Sequence, residues 1–249
     1  MSKLPYGVLI LHGFASSLDS VREIAPPLKA LGLPCQIPLL RGHSADSPDA
    51  LRGVTWHDWL TDSESALDNL LIETEKVIVI GHSMGGLLAL NLAMNRGNQL
   101  DSIILAAAAI QLTNPLSPGK PLYFLAPMVP ALIKKLDLPP EYTDPSLVKF
   151  DTNYHWAPTD ATVSFLDLVR FTRKSLAKVN TPTLILQSRK DTTVDPKSPE
   201  IIYKDISTPA DQKRIVWFEK TEHEMFKDCE RNEIINLITQ YIEERIKEK

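Results

Sequence analysis

Gly81-His82-Ser83-Met84-Gly85-Gly86 stands between a strand-like apolar run, Lys76 to Ile80, and a helix-like run, Leu87 to Met94. A serine flanked by glycines at such a junction suits a sharp strand-to-helix turn. The glycines remove the Cβ atoms that would clash, and the serine oxygen is lifted into the open above a sheet. The helix that follows aims its free N–H groups at the same spot, where negative charge develops when a carbonyl is attacked. The pentapeptide alone arises by chance in roughly one chain in ten of this length, so its surroundings must supply the argument.

Those surroundings alternate. Val8 to Leu11, Pro34 to Leu39, Val77 to Ile80 and Ile103 to Ile110 read as strands. Helical spacing occupies Leu18 to Leu31, Thr55 to Ile72 and Met84 to Asn95 between them. Pro26 and Pro27 imply a kink or late start in the first helix, and Thr55 with Asp58 forms a capping signal for the second. The alternation resumes with Thr183 to Gln187, Pro199 to Ile206, Arg214 to Glu219 and a closing helix from about Cys229 to Lys247. Short continuous apolar strands separated by helices imply a mostly parallel, doubly wound sheet. From 111 to 180 the pattern lapses: prolines and aromatics accumulate and no strand is evident, although Asp160 to Ser175 is helical in period. We therefore expect a core of residues 1–110 and 181–249 with a cap, 111–180, inserted over one end of the sheet.

Composition narrows the partners. The chain has 249 residues, 43% hydrophobic, with net charge −4, and its Lys and Arg are scattered. A concentrated basic face for nucleic acid is missing from the sequence. No apolar stretch reaches the roughly 18 residues of a membrane span, and Val8 to Leu11 is too short for a signal peptide. Cys35 and Cys229 follow no metal spacing and read as two reduced thiols of a cytoplasmic protein. The acidic residues Asp137, Glu141 and Asp144 show no metal-ligand pattern, and neither metal nor cofactor is expected. A monomer or weak homodimer is the expected state.

Acyl transfer needs a nucleophile, a base, a group that orients the base and donors for the oxyanion. Ser83, Asp191 and His223 each fall in a loop just beyond the C-terminal end of a strand, where ligands of open α/β sheets bind. They also come in the chain order used on a nucleophile-elbow scaffold. Asp195 is the rival to Asp191. His43 and His57 read as loop or rim residues, His82 as a packed support, and His155 as equally suited to pocket or surface.

Taken together, Leu11-His12-Gly13-Phe14, the Gly81–Gly86 turn, the Asp191 loop and the late His223 resemble the α/β-hydrolases. Pro182 to Tyr203 (PTLILQSRKDTTVDPKSPEIIY) is similar to the small bacterial carboxylesterases and monoacylglycerol lipases with a short cap. That resemblance implies Ser83 as nucleophile, His223 as base, Asp191 as its orienting acid, and the backbone N–H groups of Phe14 and Met84 as the oxyanion hole. It implies a small-molecule ester as substrate, cleaved through an acyl-enzyme, with a monoacylglycerol or thioester as the nearest variants. A catalytically silent binding homologue is the alternative from another class. Because the His-Gly motif begins at residue 12, the usual first strand or strands should be missing. Leu122, Phe124, Met128, His155 and Trp156 of the apolar cap are the expected substrate contacts.

Overall fold

The computed structural model describes residues 3–43 and 46–247, so Ser44 and Ala45 of the expected Arg41–Pro48 loop, with both extreme termini, lie outside it. Six strands form one wholly parallel sheet: β1 (Leu4–Leu11), β2 (Cys35–Gln36), β3 (Thr74–His82), β4 (Leu100–Ala106), β7 (Thr183–Ser188) and β8 (Lys213–Phe218). Their spatial order is β2-β1-β3-β4-β7-β8. The chain thus steps outward from β1 to β2 and then returns to the other side of β1. The resulting switch point, between β1 and β3, opens a crevice at the carboxyl ends of the strands.

Successive side chains of a strand point to opposite faces, and both faces here are apolar. Leu9 and Leu11 of β1 and Val77 and Val79 of β3 join one buried cluster, covered by α2 (Trp56–Glu73), α3 (Met84–Arg96), α5 (Thr159–Ser175) and α6 (Lys197–Asp205). Val8, Ile10, Ile78 and Ile80 join the other, under α1 (Ala25–Ala30) and α7 (Arg231–Lys247). The expected doubly wound class is therefore present. Its details follow from local chemistry. The first helix starts late, at Ala25, with its prolines inside the first turn. Asp58 accepts the Thr55 N–H at 2.9 Å at the head of α2. The second strand shrinks to two residues at the sheet edge, next to Pro34 and Pro38. The fourth ends at Ala106 because Ala107 takes φ 46°, outside the strand region.

Residues 111–180 are less strandless than the sequence implies. A 3-10 turn (Tyr123–Met128) runs into the short α4 (Val129–Leu132). Beyond it, β5 (Lys135–Asp137) pairs antiparallel with β6 (Trp156–Pro158). Three-residue strands leave too little alternation to be seen in sequence. The α5 end of the segment packs against α2 and α3, within the helical layer of the sheet.

Replacing the fully buried Ile238 of α7 by Ala should cost about 3 kcal/mol in urea unfolding, as a cavity in a packed core. Phe124→Ala, at a side chain 72% exposed, should stay within about 0.5 kcal/mol of the wild type in the same assay.

Candidate active site

The serine turn occupies the switch point. Ser83 has φ 52° and ψ −114°, a conformation that non-glycine residues rarely adopt and that needs surrounding structure to hold it. Its N–H donates to Ala106 O at 2.9 Å, and its carbonyl accepts the Gly86 N–H at 3.0 Å. The turn is possible because neighbouring positions lack side chains. A Cβ on Gly81 would lie 2.2 Å from Gly85 O, and one on Gly85 would lie 2.2 Å from Leu11 O. The helix start is thereby pressed directly onto the end of β1. Met84 opens α3, where a helix leaves its N–H groups without helical acceptors.

The loop after β1 closes on the serine from the other side. A Cβ on Gly13 would stand 3.3 Å from Ser83 Cβ. Three histidines brace this region, all buried and all neutral. His12 donates from Nδ1 to Gly13 O at 2.9 Å and accepts the Leu40 N–H on Nε2 at 3.2 Å. His43 accepts the Ala15 N–H on Nε2 at 3.0 Å and donates from Nδ1 to Leu40 O at 3.1 Å. His82 donates from Nε2 to His223 O at 2.9 Å. Burial lowers their pKa values to about 3, 4 and 3 respectively. His43 is therefore not the rim residue that its sequence position implies. Its partner Ala15 lies 28 residues away, a pairing that no local pattern announces.

Asp191 and His223 meet. His223 Nδ1 donates to Asp191 Oδ2 at 2.9 Å. Asp191 is further held by the N–H groups of Thr193 (2.9 Å) and Val194 (2.7 Å) and by Gln187 Nε2 (2.9 Å). Burial opposes its ionisation, yet His223 and these donors hold it below the usual carboxylate range. Asp195 is elsewhere: its carboxylate takes Lys120 Nζ at 2.8 Å. Burial disfavours a charged His223, but Asp191 and Glu141, with Glu224 behind them, outweigh it and push the imidazole above its ordinary range.

Ser83 and His223 line one cavity of about 260 Å³. Its apolar wall comes from Phe14, Leu112, Leu116, Ala126, Val129 and Leu138, and from Phe165 and Leu166 of α5. None of Leu122, Phe124, Met128, His155 and Trp156 belongs to that lining. In the Tyr123–Met128 turn Ala126 faces inward, whereas Leu122, Phe124 and Met128 are 44%, 72% and 60% exposed. His155 is exposed, and Trp156 stacks beneath Lys135 Nζ at 3.8 Å. Glu141 carries no signal of its place in the sequence, yet it also lines the cavity. Its Oε2 lies 4.0 Å from His223 Nε2, and its carboxylate accepts from Thr193 Oγ1. Burial raises its pKa.

A serine on such a turn, opening onto a cavity shared with a carboxylate-paired histidine, belongs to the serine hydrolases of the α/β-hydrolase fold. Within that class the chain belongs to the serine aminopeptidase S33 family, whose model matches residues 6–230. It is 28% identical to the thermostable monoacylglycerol lipase of Bacillus sp. (strain H-257) over 237 residues, 93% of this chain and 88% of that protein. It is 24% identical to a carboxylesterase of Bacillus subtilis (strain 168) over 238 residues, 95% and 92% of the two chains. In fold it is similar to a metagenome-derived lipolytic enzyme, with TM-score 0.87, 24% identity and coverage of 98% and 95%. The monoacylglycerol lipase of Paleococcus ferrophilus superposes with TM-score 0.77, 20% identity and coverage of 98% and 97%. Among the described residues no helix is long and apolar enough to cross a membrane, no cluster of side chains has metal-ligand geometry, and Cys35 and Cys229 are both free.

Gly85→Ala would drive a methyl group into the Leu11 carbonyl, and backbone cannot yield as a side-chain tip does. We expect a fall in melting temperature of more than about 8 °C, or loss of soluble protein, against about 4 °C or less for Gly53→Asn, on an open turn whose φ of 72° asparagine tolerates better than other side chains.

Proposed function

We propose that the protein hydrolyses carboxylic esters of short to medium acyl chain. The observation that carries this reading is the buried 2.9 Å contact between His223 Nδ1 and Asp191, in a ring that shares a cavity with Ser83 on its strained turn. Ser83 Oγ attacks the ester carbonyl while His223 takes its proton. Asp191 fixes the tautomer that leaves Nε2 free to act and favours the imidazolium that forms. The Phe14 and Met84 N–H groups receive the oxyanion, each such donor being worth about 3 kcal/mol in the transition state. The alcohol leaves with the proton from His223, and water then cleaves the acyl-enzyme by the same steps. Residues 111–180 act as the cap, with the acyl chain against Leu112, Ala126, Val129 and Phe165. Relatives named carboxylesterase and monoacylglycerol lipase support an ester substrate, and the second name makes glycerol monoesters the first natural class to assay.

On p-nitrophenyl butyrate, Ser83→Ala should lose turnover with its fold intact by circular dichroism, and a fluorophosphonate should label the wild type at Ser83 alone. Asp191→Asn should lower kcat by about 10⁴-fold through the wrong tautomer, while Asp195→Asn keeps kcat within about threefold. Near-wild-type rates in Ser83→Ala or Asp191→Asn would sink the assignment.

The pH dependence has a definite sign. A base works when neutral, so kcat/KM rises as pH climbs through the His223 pKa. Glu141 raises that pKa, and Glu141→Gln should therefore move the acid limb of the profile to lower pH. An unmoved or upward-shifted limb would show that Glu141 does not act on His223.

A further inference from the structure

Besides its apolar wall, the cavity has acidic side chains in its lining. Asp137, Glu141, Asp151 and Glu224 all line it, and no Lys or Arg does among the described residues. Glu141 stands beside His223 Nε2, the nitrogen that hands a proton to the departing alcohol, so Glu141, with Glu224 and Asp151 near it, marks the leaving-group side. Glu224 follows His223 in the chain and is only 5% exposed. Its Oε1 accepts from Asn153 Nδ2 at 3.0 Å, but its Oε2 is buried with no hydrogen-bond partner. A buried carboxylate oxygen without a donor is costly, and a cation held nearby is one arrangement that relieves the cost. Burial, with Glu141 and Asp151 close by, raises the Glu224 pKa to about 7, so at neutral pH it carries part of a charge and a neighbouring cation would complete its ionisation. His223 offsets part of this charge only while protonated, and it loses its proton as the alcohol departs.

We propose that the leaving-group side of the cavity takes a cation, so that preferred substrates are esters of ammonium-bearing alcohols; this rests on the ester-hydrolase reading above. The reaction is unchanged in balance. The acyl C–O bond breaks, the alcohol oxygen takes the proton from His223, and water supplies the hydroxyl of the released acid. The carboxylates act on the ammonium of the alcohol and take no part in bond making. Glu141 and Glu224 are the specificity residues, and anionic leaving groups are disfavoured by the same field.

The test compares kcat/KM at pH 7 for 2-(dimethylamino)ethyl butyrate, its uncharged isostere 3-methylbutyl butyrate, and glycerol 1-monobutyrate. A unit charge within a few ångströms of partly buried carboxylates supports a preference of about tenfold or more for the ammonium ester over its isostere. That ratio should fall below about threefold in Glu224→Gln or Glu141→Gln and shrink with added salt. Because the ratio is taken within one variant, a general loss of activity cancels. Fluorophosphonate labelling of Ser83 confirms that each variant is folded. A wild-type ratio near one, a ratio unchanged in both variants, or faster cleavage of the glycerol ester would overturn the proposal. If the isostere is cleaved in a Ser83-dependent way at a ratio near one, the cation site fails and the esterase reading stands. If no ester is cleaved and Ser83 is not labelled, both fail together.

Discussion

Everything at the site depends on how closely α3 approaches β1. The distance is set by what Gly85 lacks: a single Cβ there would overlap the Leu11 carbonyl at 2.2 Å. With that clearance, the head of the helix, the serine turn and the loop after β1 converge at the sheet's switch point. The Asp191 and His223 loops rise from β7 and β8 at the same end. The strained φ of Ser83 is held by bonds to Ala106 and Gly86, so the orientation of this serine belongs to the sheet rather than to a flexible loop.

The electrostatics are arranged around one ring. His223 is enclosed by Asp191 on Nδ1 and approached by Glu141 near Nε2, while His82 grips its carbonyl from behind. The neighbouring histidines are kept uncharged by burial and serve as rigid connectors, each giving a hydrogen to a backbone carbonyl (shared between Leu40 and Arg41 for His43) and, for His12 and His43, taking one from a backbone N–H. Four histidines thus occupy one small region with two opposite roles. Three are structural and neutral. The fourth is surrounded by carboxylates and poised to hold charge.

The parts legible in sequence were those written in strand ends. Apolar runs located the strands, and Ser83, Asp191 and His223 stood out because each follows such a run directly. What could not be read depends on direction. The segment 122–133 is apolar throughout, and only its fold, a 3-10 turn carrying Pro127, decides that Ala126 and Val129 face the cavity while Phe124 and Met128 do not. Periodicity fails in so short a turn. Glu141 and His43 escaped for another reason: their partners are remote in sequence, and Pro-Pro-Glu-Tyr carries no signature of a carboxylate aimed at a histidine. The strands β5 and β6 are too short to show alternation at all.

The segment 152–154 bears on how anything enters. Tyr154 N–H donates to Ala15 O at 2.8 Å, and Asn153 Oδ1 accepts the Ser17 N–H at 3.0 Å. Thr152 and Ser17 share a hydroxyl contact at 2.7 Å, and Asn153 Nδ2 reaches Glu224 at 3.0 Å. The loop after β1 and the histidine loop are in this way laced to the same three residues. Swinging that edge aside would break all four bonds together, at about 1 kcal/mol each before any packing is lost. The cavity is therefore built like a room with one fixed wall.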